Sequence, residues 1–444
     1  MIDTEYLNKI AQIACDAAIS AGAEFADVSA GYGKSLSAEI ESSAIKASEA
    51  KIGGGISIRA IYKGGTGWSS SDKLTLDDAA KAGQNAARLA RLAEPDPDFI
   101  SLPGHAGEYP KVEGLVDRTL ADMDIKDIIR WSISNIDEAL SVRSSAIVGG
   151  GFSVDYSASA LVNSLGINLS RESSSVGGHI MVVVREGEDV GSFYDFDAAR
   201  QFSDFNPEGI GTKAAQQAVK FLGARKIDTG RMPVILGPMA SRSVFSGVVG
   251  SADAEDVMRG RSFMIGKLGE KIASDVLTLT DNPLIHRGLS SRAYDAEGFP
   301  CRPLVVMENG VLKSYLYGSY SAGKAKVANT GHGTRGGGSM SSNIVPKLGD
   351  MTGDEIIKST KEGLYINMGG ISPNSTTGDV SSAVDFGFKI EDGELAYPVM
   401  SSMIGGSFLD MLKNIDAISS DYREEPGMIM PTLRIQDVLV AGGK

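Results

Sequence analysis

The sequence is poor in the residues that usually build metal and thiol sites. Its 444 residues contain two cysteines and four histidines. Cys15 lies in a helical pattern and Cys301 in a strand pattern, so we expect two buried free thiols rather than a disulfide. Zinc enzymes usually place two ligands about one turn apart on a helix. The histidines show no such spacing, since they lie at His105, His179, His286 and His332. Spacing alone therefore indicates no metal site, although scattered ligands remain an alternative.

The sequence also lacks an excess of positive charge and a long apolar segment. The formal net charge is −13, and the sequence contains no run of Lys or Arg. This argues against a nucleic-acid-binding surface, which needs a positive footprint. No apolar stretch approaches the ~20 residues that span a bilayer. The first residues do not show a basic region followed by an apolar one, so no signal peptide is expected. We expect a cytoplasmic protein that binds neither membrane nor nucleic acid.

Glycine, by contrast, is abundant, with 54 residues in the chain, well above the usual ~7%. Without a collagen period, this content favours strand turns and bulges. Helical periodicity and alternating strand patterns succeed one another twice in the first half of the chain. The predicted helices cover residues 4–21, 75–93, 122–140 and 209–222. We therefore predict an N-terminal α+β domain of antiparallel strands and helices over 1–225, with two halves at about 1–100 and 115–225.

Strand patterns dominate the second half of the chain. Asn309-Gly310 and Asp392-Gly393 match hairpin turns that need positive φ at both central residues. One or two helices are expected to interrupt the strands, around 353–363 and 407–413. The prediction is a β-rich, barrel-like C-terminal domain over 226–444.

One segment resembles a phosphate-binding loop. In "GSYSAGKAK", residues 318–326, Gly318, Gly323 and Lys324 have the spacing of a P-loop. Ala325 stands where a Ser or Thr would hold magnesium, and the following segment is too rich in glycine to form the required helix. We interpret the match as a coincidence of hairpin glycines.

Two further segments contain side chains that chemistry could use. Asp253, Glu255 and Asp256 form an acidic cluster, which we interpret as a solvated turn. The loop "NTGHGTRGGGSMSSN", residues 329–343, is the better site candidate, because glycine lets the backbone approach a ligand closely. A flexible surface loop is the alternative interpretation.

Several long motifs, in order along the chain, resemble the TldD/PmbA family, and more closely its PmbA (TldE) branch. They are "ALVNSLGINLS", "AVKFLGARKIDTGRMPVILGP", the segment from Asp281 to Gly336, and "MPTLRIQDVLVAGG". The resemblance covers nearly the whole chain. It implies a two-domain fold and a subunit of a heteromeric metalloprotease that acts on unfolded peptides. Some members of the family are described as DNA gyrase modulators, but the acidic charge gives no support for direct DNA binding.

The resemblance also implies what this chain lacks. The family's TldD subunit carries H-E-x-x-x-H on a helix and a later Cys as zinc ligands, with the Glu as general base. By register, these helix positions fall here on Ser246, Gly247 and Ser251, and no Cys follows Cys301. We therefore expect no metal, no cofactor and no catalytic residue in this chain. The implied partner is a TldD-type zinc-bearing chain.

The resemblance makes the loop 329–343 a candidate wall of the peptide channel, with Thr330, Gly331, His332 and Arg335 as its candidate residues. Two alternatives remain open. One is an autonomous metallopeptidase whose displaced metal site uses His286, His332 and carboxylates. The other is a non-catalytic homodimer that binds a peptide along an exposed strand edge.

Overall fold

The computed structural model describes residues 3–105, 107–425 and 427–443. Its helices are α1 (Thr4–Ser20), α2 (Leu76–Ala90), α3 (Arg118–Ala121), α4 (Ile125–Val142), α5 (Ile210–Lys220), α6 (Pro238–Ser251), α7 (Ala254–Met258), α8 (Ser319–Ala325), α9 (Gly353–Lys358) and α10 (Phe408–Lys413). The strands are β1 (Phe25–Glu41), β2 (Ala44–Tyr62), β3 (Gly65–Ser71), β4 (Ile147–Asn163), β5 (Asn168–Glu186), β6 (Asp189–Ala199), β7 (Gly230–Leu236), β8 (Leu279–Asn282), β9 (Leu304–Glu308), β10 (Val311–Leu312), β11 (Asn343–Pro346), β12 (Glu362–Ile366), β13 (Asp379–Ala383), β14 (Gly387–Glu391), β15 (Glu394–Val399), β16 (Met403–Ser407), β17 (Ile415–Glu425) and β18 (Met428–Ala441).

The first six strands form one antiparallel sheet in the order β3-β2-β1-β4-β5-β6. Each half of this sheet is a three-stranded meander between two helices, α1 and α2 for the first half and α4 and α5 for the second. The halves meet where β1 pairs with β4, from Asp27 opposite Asn163 to Ile40 opposite Gly150. The repeated order of elements in the sequence is therefore a repeat of structure.

Helices cover one face of this sheet. Alternate strand side chains point to opposite faces, and Ala26, Val28 and Ala30 of β1 are buried in a core shared with α1 and α2. The two helices approach closely, since a Cβ on Gly83 would lie 2.1 Å from the Ala14 carbonyl oxygen. Asp27, between two of these core residues, belongs to the opposite face, which meets the second half of the chain.

The remaining strands form a mixed twelve-stranded sheet. Its longest strand, β18, pairs with β7, β11, β16 and β17. Helix α6 packs against this sheet and buries Phe245 and Val248 in the same core as Phe408. The path through β10-β9-β8-β11-β18-β7-β12-β14-β15 is open in the described part of the chain. The α+β class is confirmed, but the barrel-like closure is wrong.

The local predictions hold best where side-chain chemistry fixes the backbone. Helix α2 begins after Thr75, whose side chain accepts from the Asp78 amide. The hairpin turns have positive φ at both residues, 47° and 77° at Asn309-Gly310 and 50° and 81° at Asp392-Gly393. The hairpin expected at 318–326 is wrong, because Ser319–Ala325 is the short helix α8. Among the described helices, none is long and apolar enough to cross a membrane.

Candidate functional site

A cleft of about 750 Å³ lies between the uncovered face of the six-stranded sheet and the second half of the chain. We call it the central cleft. One wall comes from β1, β2, β4 and β5, and the other from α6 and from loops around residues 290–292 and 340–342. Its lining residues include Gly31, Gly33, Gly53, Gly54, Ser157, Ser159, Arg171, Ser173, Arg200, Arg242, Ser246, Arg292 and Ser342.

Glycines and serines keep the sheet wall of the cleft open. Where β1 and β2 cross the cleft, Gly31 pairs with Gly55 and Tyr32 with Gly54. Gly31 and Gly33 of β1 and Gly53 of β2 line the cleft without a side chain. Ser157 and Ser159 of β4 add only short hydroxyl side chains. The wall therefore presents mainly backbone and small hydroxyl groups.

Helix α6 contains Ser246, Gly247 and Ser251, onto which the resemblance places the zinc motif. Ser246 is exposed in the central cleft, and its Oγ donates to the Arg242 carbonyl oxygen at 2.6 Å. Ser251, at the end of the helix, is buried and does not line the cleft. Gly247 is closely packed, because a Cβ there would lie 3.0 Å from Phe408 Cζ and 3.1 Å from Pro373 Cδ. The structure does not bring the three positions together.

This donor set does not fit zinc. Protein zinc ligands are thiolate, imidazole and carboxylate, whereas the register offers two hydroxyls and a glycine. Within residues 3–105, 107–425 and 427–443, no group of three or more His, Cys, Asp or Glu side chains could hold a metal ion.

His332, from the candidate loop, is 2% exposed. Its Nδ1 lies 2.9 Å from Thr330 Oγ1 and its Nε2 lies 3.1 Å from Asp281 Oδ1. Asp281 is fully buried and also accepts from the amide and hydroxyl of Ser342. Both ring nitrogens are therefore engaged within the protein. His286 is exposed and borders a different cavity.

Arg335, from the same loop, ties the two halves of the chain together. Its Nε donates to Asp27 Oδ1 at 2.7 Å, and its Nη2 donates to the Ser57 carbonyl oxygen at 2.8 Å. Arg59 donates to the other oxygen of Asp27 at 2.8 Å and to the Arg335 carbonyl oxygen at 2.8 Å. Both guanidinium groups lie near the ring of Trp68, at 5.3 and 5.8 Å from its centroid. One buried carboxylate thus pairs with two arginines.

The carboxyl group of Asp295, beside this cluster, binds the loop backbone at Gly333. Asp295 accepts from the amides of Glu297, Phe299 and Gly333. Burial, and then the negative charge of Glu297, raises the pKa of Asp295 to about 7. The carboxyl group of Asp295 therefore titrates near neutral pH.

The acidic cluster also accepts hydrogen bonds from the loop. Asp253 accepts from the amide and hydroxyl of Ser339, and Glu255 accepts from the Gly338 amide at 2.7 Å. Glu255 is 7% exposed. The expectation of a solvated acidic turn is therefore wrong for Glu255.

The thiols are buried and free, as predicted. Burial is the main cause that raises the pKa of both Cys15 and Cys301 to about 12. Cys301 lies in a loop before β9 rather than in a strand. Neither group has the thiolate character of a nucleophile.

Comparison with known protein families accounts for this architecture. Three family models, for PmbA/TldA metallopeptidase domain 1, central domain and C-terminal domain, match residues 26–90, 118–222 and 229–442. The chain belongs to the PmbA/TldD family. The matched segments correspond to the first half of the sheet, its second half, and the twelve-stranded region.

Individual family members resemble the chain over nearly its full length. The metalloprotease PmbA of Escherichia coli O157:H7 is 26% identical over 406 residues, which cover 88% of this chain and 86% of that protein. The crystal structure of TldE from Thermococcus kodakarensis is 25% identical, with a TM-score of 0.89, covering 98% of this chain and all of the other. A candidate modulator of DNA gyrase from Bacteroides thetaiotaomicron is 26% identical, with a TM-score of 0.90 and 98% coverage of both chains.

Sequence patterns did not predict the four arginines of the central cleft. Arg171 lies on β5, Arg200 follows β6, Arg242 lies on α6, and Arg292 lies in a loop. They are spread over more than a hundred residues and form no run, so no local signal marks them. Only the fold of this PmbA/TldD-family chain brings them to one cleft.

Proposed function

We propose that the chain is the non-catalytic, PmbA/TldE-type subunit of a heteromeric peptidase that processes unfolded peptides. A TldD-type chain would supply the zinc ion and the general base. This chain would supply part of the wall along which the peptide runs. Location in the cytoplasm is part of the proposal.

The residues of α6 and the packing around them are the observation that supports this proposal. The helix is present at the position that the family register requires, but it bears Ser246, Gly247 and Ser251. The surroundings of Gly247 would have to move to accept the Cβ of a glutamate, since Phe408 and Pro373 lie at 3.0 and 3.1 Å. Both the residue types on α6 and the space around Gly247 therefore support the proposal that this chain holds no zinc.

The central cleft is the element that would bind the peptide. Its volume of about 750 Å³ falls in the range of ~300–1,000 Å³ that ligand clefts usually have. The buried loop residues Thr330, Gly331 and His332, together with Arg335, would hold the cleft walls in position rather than touch every peptide.

Co-expression tests the proposal. The chain is produced with and without a TldD-type chain, containing H-E-x-x-x-H, from the same genome. We expect a stable complex on size-exclusion chromatography that cleaves an unfolded peptide, whereas this chain alone does not. Replacing the Glu of the partner's motif by Gln should abolish cleavage and leave the complex intact.

Three outcomes would contradict the proposal. The first is the absence of any complex. The second is peptide cleavage by this chain alone that is lost on His332→Ala, as an autonomous metallopeptidase requires. The third is a stable homodimer that binds peptide and ignores the TldD-type chain.

A further inference from the structure

We infer that the central cleft is a site for anionic groups, and that it selects acidic peptides through their carboxylates. The arginines on its two walls form the site. Identification of the ligand as a peptide rests on the proposed function, whereas the anion preference does not. The chain as a whole has a net charge of −13, so a positive cleft runs against its overall charge.

The charged residues that line the cleft are almost all of one sign. They are Arg171, Glu172, Arg200, Arg242 and Arg292. The single carboxylate is already engaged, because its two oxygens accept from Arg118 Nη2 at 2.5 Å and from the Tyr156 hydroxyl at 2.8 Å. Glu172 therefore does little to neutralise the arginines of the cleft.

Among the described residues, backbone carbonyls bind Arg200 and no carboxylate does. Its guanidinium donates to the carbonyl oxygens of Ser174, Gly288 and Leu289 at 2.5–3.2 Å. Burial, followed by the positive charge of Arg171, lowers the pKa of Arg200. Two arginines thus lie close enough to repel each other, and a bound anion would relieve that repulsion.

Arg292 lies on the opposite wall of the cleft and is also bound by backbone carbonyls. It is 7% exposed and donates to the carbonyl oxygens of Met340 and Ser341 at 2.5 and 3.0 Å. Its Nε is buried and has no hydrogen-bond partner in the part of the chain that the structure describes. Carbonyl partners fix the position of a guanidinium but leave its full positive charge uncompensated.

Arg171 is accessible in the cleft, in contrast to Arg200 and Arg292. It is exposed, and its guanidinium carbon lies 5.5 Å from the ring centroid of Tyr294. An exposed arginine over an aromatic ring can turn one edge toward a carboxylate and form a charge-assisted pair. Arg171 is therefore the residue through which the cleft can be tested without disturbing its buried parts.

The test measures binding of two short, unstructured fluorescent peptides to the full chain. One peptide carries several glutamates, the other carries glutamines at the same positions, and both have amidated C-termini. Arg171→Gln removes a charge from the cleft. The matched control, Arg185→Gln, removes a charge from an exposed position on the same strand, β5, outside the cleft. Inorganic phosphate is added as a competitor.

We expect the glutamate peptide to bind several-fold more tightly than the glutamine peptide. Arg171→Gln should weaken its binding by about 3- to 10-fold, the effect of one charged pair. Arg185→Gln should change it less than about twofold. Binding of the glutamate peptide should weaken between about 50 and 300 mM salt, because screening shortens the range of the attraction.

Equal affinity for the two peptides, or equal effects of the two substitutions, would overturn the inference. Displacement of the glutamate peptide by micromolar phosphate would show that a free anion is the ligand and overturn the peptide assignment. Complex formation with a TldD-type chain is a separate measurement, so failure of the anion site and failure of the proposed function are distinguishable.

Discussion

Asp27 is the carboxylate on which the contact between the six-stranded sheet and the loop 329–343 depends. The exposed fraction is 3% for its side chain and 11% for each of its partners, Arg59 and Arg335. Removing one partner of a buried ion pair leaves charge buried without compensation, which usually costs several kcal/mol.

We therefore expect Asp27→Ala to lower the free energy of unfolding by roughly 3–5 kcal/mol in urea denaturation. The control is Glu49→Ala, which removes an exposed ion pair with Lys51 and should change the free energy by less than about 0.5 kcal/mol. Similar losses for the two variants would show that Asp27 does not link the two parts of the molecule.

Asp295 should make stability depend on pH. Its pKa is about 7 in the folded protein, compared with 3.8 for the unperturbed group. Between these values the folded state retains a proton that the unfolded state has released. Its contribution to stability is therefore fully present below about pH 4 and is lost as pH rises through 7.

Asp295→Asn should flatten this part of the profile, by an amount on the order of 4 kcal/mol between the two limits. Chemical denaturation at several pH values measures it. Asp275→Asn, at an exposed carboxyl group paired with Lys271, should keep the slope of the natural protein. If Asp295→Asn also keeps that slope, the raised pKa is not the cause.

At the scale of elements, α6 offers a matched pair of glycines. Gly247 faces Phe408 and Pro373, whereas a Cβ on Gly250 would meet no atom within 4 Å. Glutamate has a better helix propensity than glycine, by roughly 0.5–1 kcal/mol. At Gly247, overpacking should outweigh that gain.

We expect Gly247→Glu to lower the free energy of unfolding by about 1–3 kcal/mol. Gly250→Glu on the same helix should be neutral or slightly stabilising. Thermal or urea denaturation of the two variants gives the comparison. Equal free energies of unfolding for the two variants would mean that the core around Gly247 can accept the glutamate of a zinc motif.

Sequence patterns predicted those elements whose ends are fixed by local chemistry. Thr75 caps α2, and Asn309-Gly310 turns the β9–β10 hairpin. Periodicity did not mark α6, whose glycines, serines and valines are poor helix formers, and packing on the β-sheet holds it in place. Only the resemblance to the family indicated a helix at this position. Likewise, α8 forms in a glycine-containing segment that local propensity assigns to a hairpin.

At the scale of the whole molecule, the sequence predicted the fold class but not the site. The repeated helix–strands–helix order was visible, but the pairing of β1 with β4 that joins the two halves was not. The central cleft was not visible, because its walls come from positions as far apart as Gly31 and Met428. The open path of the large sheet is likewise set by pairing between distant strands, which no short pattern records.

Zinc content shows whether this chain can hold a metal ion. It is measured on the chain purified alone, without a metal-binding tag, from cells grown with zinc. The register Ser246, Gly247 and Ser251 offers no zinc donor set, and the described residues contain no alternative cluster. We predict metal far below one ion per chain. One tightly held zinc ion per chain would contradict this prediction and favour an autonomous metallopeptidase.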